Sequence, residues 1–194
     1  MAPSPPASVE LYWIPLGAGG HSVRFNGKVF EAVDAACDRR PRGDLYHSAL
    51  IVSVDGERYA VELAPALGGS RVNRGVVITG PVGSRRLGWS ALFRYELRCW
   101  RGGTIPDLGY AVGGPQTLTR DPLAARRLLD GVRLVPTAVW GRDELKAGEM
   151  WNCNSVIAWL LTRAGIRTEV LRPPAGGRAP GWSAGITVAA RAMG

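Results

Sequence analysis

The chain has 194 residues with 46% hydrophobic and 21% charged residues. That balance is globular, is long enough for a substantial core, and excludes a disordered or fibrous polypeptide. The net charge of +8 attracts anions in general. However, the arginines are scattered as short pairs (Arg39-Arg40, Arg85-Arg86, Arg126-Arg127) and form no dense basic block, so no nucleic-acid partner is expected.

In chain order, residues 1–8 read as a Pro/Ser-rich tail, and the start lacks the basic and apolar regions of a signal peptide. Residues 10–15 read as a short edge strand stopped by Pro15. Gly17-Ala18-Gly19-Gly20 reads as a connector. A hairpin around Asn26-Gly27 follows, joining strands at 21–25 and 28–33. A second hairpin, 46–54 and 58–63, turns at Asp55-Gly56, and its second arm ends at Pro65. Further strands are expected at 75–79 and 91–100. Asp121-Pro122 opens a helix through 129, with Asp as N-cap and Pro at the first turn. Its expected apolar stripe is Leu123, Leu128, Leu129 and Val132. A helical turn at 143–146 precedes a helix from Cys153 closed by Gly165, then a short strand at 167–171. The domain is expected to span 9–171, and 172–194 reads as a Pro/Gly-rich extension. The fold class expected is α+β, an antiparallel sheet packed against the helices at Cys153 and at 121–131.

The three cysteines, Cys37, Cys99 and Cys153, are odd in number and widely spaced, which gives no disulfide framework. With histidine limited to His21 and His47 and no paired-cysteine motif, no metal and no cofactor are expected. No stretch reaches membrane-span length. Reduced thiols and a cytoplasmic location are the default.

Two residues carry the chemistry. Cys153 opens a helix with Asn152 as expected N-cap. The helix macrodipole and its free N–H groups favour the thiolate there. His47 begins a strand and offers an imidazole to take the thiol proton. A two-residue turn at Asp55-Gly56 places Ala49 opposite Glu62 and puts His47 and Glu62 diagonally on one face, where the carboxylate can orient the imidazole. Asp107 and Asp143 are the alternative carboxylates. Trp151, Asn152 and Asn154 are the candidate substrate-binding residues beside the nucleophile, and Trp89, Trp140 and Trp182 could add apolar lining. Taken singly, each has a plainer role: a free cysteine is usually a packing thiol, and a strand glutamate usually faces solvent.

His47-Ser48-Ala49-Leu50-Ile51-Val52, a turn, then Tyr59-Ala60-Val61-Glu62-Leu63-Ala64-Pro65, followed about a hundred residues later by Asn152-Cys153-Asn154-Ser155, resembles the circularly permuted papain-like cysteine hydrolases. These include the lecithin:retinol acyltransferase-like and PPPDE-like proteins. The resemblance covers residues 45–165. It implies Cys153 as nucleophile, His47 as base, and a small-molecule, lipid or peptide acyl substrate. Glu62 stands where acyltransferase members carry a second His, and Asn154-Ser155 replaces their Glu-His and is closer to the peptidase-like members. The expected function is hydrolysis or transfer of an acyl group from an amide, thioester or ester. The alternative is a catalytically inactive papain-like module that binds a protein or an anionic ligand.

Overall fold

The computed structural model describes residues 6–16, 44–66, 75–174 and 176–194. The Asn26-Gly27 hairpin, His21, Cys37, Arg39-Arg40 and the Gly17–Gly20 connector lie outside the described residues.

The fold is α+β. A mostly antiparallel sheet has the order β4-β5-β3-β2-β1-β6, with β1 Ser8–Pro15, β2 Asp44–Val54, β3 Glu57–Pro65, β4 Val76–Pro81, β5 Arg94–Arg101 and β6 Gln116–Thr119. A two-residue strand β7, Gly177–Arg178, runs parallel to the start of β2. Three helices are described: α1 Pro122–Gly131, α2 Cys153–Arg163 and α3 Trp182–Arg191.

The β2–β3 hairpin forms in the register expected from its turn. Val54 pairs with Glu57 and Leu50 with Val61. Asp55 and Gly56 take φ of 54° and 78°, the double positive φ of a primed turn that Asp-Gly tolerates. Strand alternation then divides the sheet into two faces. Tyr46, Leu50, Val52, Val54, Val61, Leu63, Tyr95 and Leu97 enter the main core with α1 and α2. Ala49, Ile51, Ala60 and Ile14 form a second cluster with Ile105 on the opposite face, beside the 3-10 turn Pro106–Tyr110 whose Leu108 packs against it.

Helix α2 is buried at every position from Cys153 to Leu161. A helix apolar on all sides belongs in the centre of a core, and α2 lies between the sheet, α1 and α3. Asn152 is its N-cap as expected. Asn152 Oδ1 accepts from Ser155 N–H (3.2 Å), and Ser155 Oγ accepts from Asn152 N–H (3.0 Å), a reciprocal capping box. Helix α1 opens on Asp121 and Pro122 as expected.

Several expectations are corrected. Strand β1 is not an edge strand, because β6 covers it; a four-residue strand with Leu118 as its one apolar residue carries too little alternation to be read from sequence. On α1 and just beyond it Leu128 and Val132 are buried and Leu129 packs against the core as expected, joined by Ala124, Ala125 and Gly131, whereas Leu123 is exposed. Residues 167–171 form no strand and include a turn at 169–170. Residues 143–146 form a turn without helix, held by Asp143, which accepts from the N–H groups of Ala147 (2.7 Å) and Gly148 (3.0 Å). The 172–194 segment is no loose extension: it contains α3, whose Gly185 sits directly on the Ser155 carbonyl.

Candidate active site at a strand split

Paired antiparallel residues point their N–H and C=O alternately to one neighbour and then the other. Leu16 N–H bonds to the Leu45 carbonyl, so Leu45 and the odd-numbered residues of β2 turn their polar groups to β1. Tyr46, Ser48 and Leu50 turn theirs toward β3. Yet β2–β3 pairing stops at Leu50↔Val61, while β3 stays paired to β5 as far as Pro65. The sheet therefore splits between β2 and β3 below Leu50, and the backbone groups of Tyr46 and Ser48 face the gap.

The N-terminus of α2 fills this gap. Asn154 Nδ2 donates to the Tyr46 carbonyl (3.0 Å), and Asn154 Oδ1 accepts from Ser48 Oγ (2.9 Å). The Ser48 backbone N–H points at the sulfur of Cys153, where it favours the charged form, as do the N–H groups of Cys153 and Asn154. These last two are first-turn donors that no carbonyl of the helix can satisfy, and the N-cap takes only the third, that of Ser155. The sulfur thus sits at the strand split, held by donors from a helix start and a strand edge.

His47 and Glu62 flank that split. The β1–β2 ladder runs without a shift from Ser8↔Ser53 to Pro15↔Tyr46, so His47 shares the face of Ala49 and Ile51, opposite to that of Ser48 and Leu50. Glu62 lies on the same side as His47, between Ala60 and Ala64 on β3. The Ser48 N–H that reaches the sulfur is next in sequence to His47. The negative charge of Glu62 is also felt at the sulfur, where it opposes thiolate formation.

The electrostatics differ from the expected activated thiolate. Burial pushes the Cys153 thiol from 9.0 up to about 12, against the three N–H groups that pull it down. Relative to a thiol in water, the site favours the neutral form by about 4 kcal/mol more. The N–H groups of a helix start are each worth a fraction of that, whereas removing a thiolate from water costs more. Burial likewise pushes His47 from 6.5 down to about 4. At neutral pH the site holds a neutral thiol and a neutral imidazole and no ion pair.

Glu62 is 8% exposed, its pKa is raised chiefly by burial and lowered by Arg98, its cross-strand neighbour. Its Oε2 has no hydrogen-bond partner, and no hydrogen bond joins it to His47 among the described residues. The expected orienting bond is not formed. Asp107 lies close enough to raise the Glu62 pKa; Asp143 is committed to its turn.

Neither asparagine is free to meet a substrate. Asn154 uses its amide on Tyr46 and Pro180 and its oxygen on Ser48. Asn152 caps α2 and donates to the Pro180 carbonyl (2.8 Å). Both are positioning residues. Trp151 is 1% exposed and belongs to the main core, so it lines no open groove. Trp89 is exposed, Trp140 stacks edge-on against Tyr95, and Trp182 packs its ring 5.0 Å from that of Trp13. Sequence reading missed Ser48 and Pro180. Ser48 had a signal, since a hydroxyl facing the core from an apolar strand needs a partner; Pro180 had none.

A cavity of about 450 Å³ lies elsewhere, near the hairpin tip at Val54, Asp55, Cys99, Arg126 and Arg133. Among the described residues no group of three or more His, Cys, Asp or Glu converges as a metal site, and no helix is long and apolar enough to cross a membrane. Compared with protein-family models, curated proteins and solved structures, the chain gives no match.

Proposed function

We propose that the protein is a thiol acyl hydrolase or acyl transferase of permuted papain-like architecture, working through Cys153 and His47. The observation that carries this reading is the strand split. A helix start lies at the gap between two strands so that its first side chain is the thiol, and the Ser48 N–H, next in sequence to His47, reaches the sulfur.

In this mechanism Sγ of Cys153 attacks a carbonyl carbon while neutral His47 takes the thiol proton. Nothing has to be ionised beforehand, so the raised thiol pKa is no obstacle to general-base attack. The carbonyl oxygen gains charge beside the N–H groups of Cys153 and Asn154, which turn from the sulfur to the oxyanion. The imidazolium returns the proton to the departing amine, alcohol or thiol. Water, or a second acceptor, then removes the acyl group by the same steps in reverse. Glu62 acts at the thiol, where its negative charge helps keep Cys153 neutral until the base takes its proton.

The burial of Cys153, 5% exposed, favours the second reading of a non-catalytic binding module. One experiment separates the two. Incubation with p-nitrophenyl acetate should release a burst of p-nitrophenol and leave an acetyl group on the Cys153 peptide, detected by mass, and Cys153→Ala should abolish both. A Cys153 peptide that stays unmodified while the protein is folded would leave only the binding reading.

A further inference from the structure

The protein as a whole is strongly basic, yet Glu62 has a second carboxylate, Asp107, close enough to raise its pKa. On β5, Tyr95 and Leu97 enter the main core, so Glu96 and Arg98 lie on the opposite face, beside Glu62. Asp107 approaches from the 3-10 turn that covers this face. Among the described residues Glu62, Glu96 and Asp107 lie near Arg98, and Arg98 bonds to Glu96 (3.2 Å) and to the Pro65 carbonyl (3.4 Å). Glu62 keeps one carboxylate oxygen buried and without a partner, beside the nucleophile. An ionisable oxygen left in that condition costs stability, and a donor arriving with the substrate would remove the cost.

We propose that Glu62 is the specificity-determining residue of the site, and that it selects acyl substrates carrying an ammonium or other cationic N–H group next to the scissile carbonyl. This rests on the reading of Cys153 as a reactive thiol. It narrows the substrate class from any amide, thioester or ester to amine-bearing ones, and it disfavours anionic substrates despite the net charge of +8. Ion attraction at close range in a partly dry site decides such a preference, whereas scattered surface arginines are screened within a Debye length.

The test uses three small methanethiosulfonates of similar size: the 2-aminoethyl (cationic), methyl (neutral) and 2-sulfonatoethyl (anionic) reagents. Cys153 sulfur attacks the sulfenyl sulfur, a disulfide forms, methanesulfinate leaves, and the thiol proton passes to His47 or water. Rates are read at Cys153 by peptide mass mapping of the full chain, so labelling of Cys37 and Cys99 does not interfere. The cationic reagent should outpace the anionic one by about tenfold or more at low salt. Glu62→Gln should bring the two rates together, and Asp107→Asn should reduce the ratio in part, which keeps the test decisive if Glu62→Gln fails to fold. Labelling of Cys153 with no charge preference, or a preference unchanged in both variants, would overturn the proposal and leave the reactive thiol standing. No labelling by any of the three would overturn both.

Discussion

His47 shows how one side chain can link function to stability. Its pKa falls from 6.5 in the unfolded chain to about 4 in the fold. Between those values the unfolded state binds more protons than the folded one, so stability rises with pH across that window. Above pH 6.5 nothing is lost. As pH drops toward 4 the fold loses up to about 3 kcal/mol from this group alone. We expect urea unfolding of His47→Gln to show a flatter decline between pH 6.5 and 4 than wild type, with little difference at pH 7.5; parallel declines would mean that His47 is not a buried neutral base. Cys153 was legible as a candidate because it begins a helix, whereas β2 begins at Asp44, three residues before His47, and not at His47 as expected; the Asp55-Gly56 turn fixed the face that His47 and Glu62 share. Their charge states were not legible. A helix start favours thiolate by rule, and only the surroundings reveal that burial outweighs it.

The strands and helices beside the site were legible where local chemistry was strong: a primed turn in the hairpin, Asp-Pro at the start of α1, Asn-Cys at the start of α2. They were misjudged where tertiary contacts decide. The last twenty residues have the Pro, Gly and Ala content of a loose tail, yet α3 forms within them because it can lie against α2. Gly185 makes that approach possible, since a β-carbon there would stand 2.1 Å from the Ser155 carbonyl oxygen. Ser155 belongs to the capping box below Cys153, so the docking of α3 bears directly on the site. Gly185→Ala should cost about 2–3 kcal/mol through overpacking, despite alanine's better helix propensity. Denaturant midpoints would measure it, and a stabilised variant would show that the two helices do not meet as closely as described.

Across the whole molecule, one irregularity organises the rest. The sheet is continuous from β4 to β6 except where β2 and β3 part, and that gap admits the α2 N-terminus and the short strand β7. The gap itself had no sequence signal. Both strands continue their alternation past Leu50 and Val61, and nothing local says that pairing ends there. It follows from long-range contacts: Asn154 to Tyr46 and Ser48, and Pro180 to Asn152 and Asn154. A helix driven into a sheet disrupts a ladder and buries a thiol, and such departures from regularity are where functional sites are found. Some surface arginines are locally neutralised, Arg85 by Glu144 and Arg126 by Asp55, and exposed pairs of this kind contribute little to stability.

The central claim is a neutral thiol that attacks while a neutral base takes its proton. The most direct measurement is the rate of Cys153 acetylation by p-nitrophenyl acetate from pH 5 to 9, in wild type and in His47→Gln. General-base attack by a histidine of pKa about 4 predicts a rate nearly independent of pH across this range, and a loss of about a hundredfold or more in the variant. A rate that climbs about tenfold per pH unit, as expected of a thiolate in simple equilibrium, and that is the same in both proteins would contradict it.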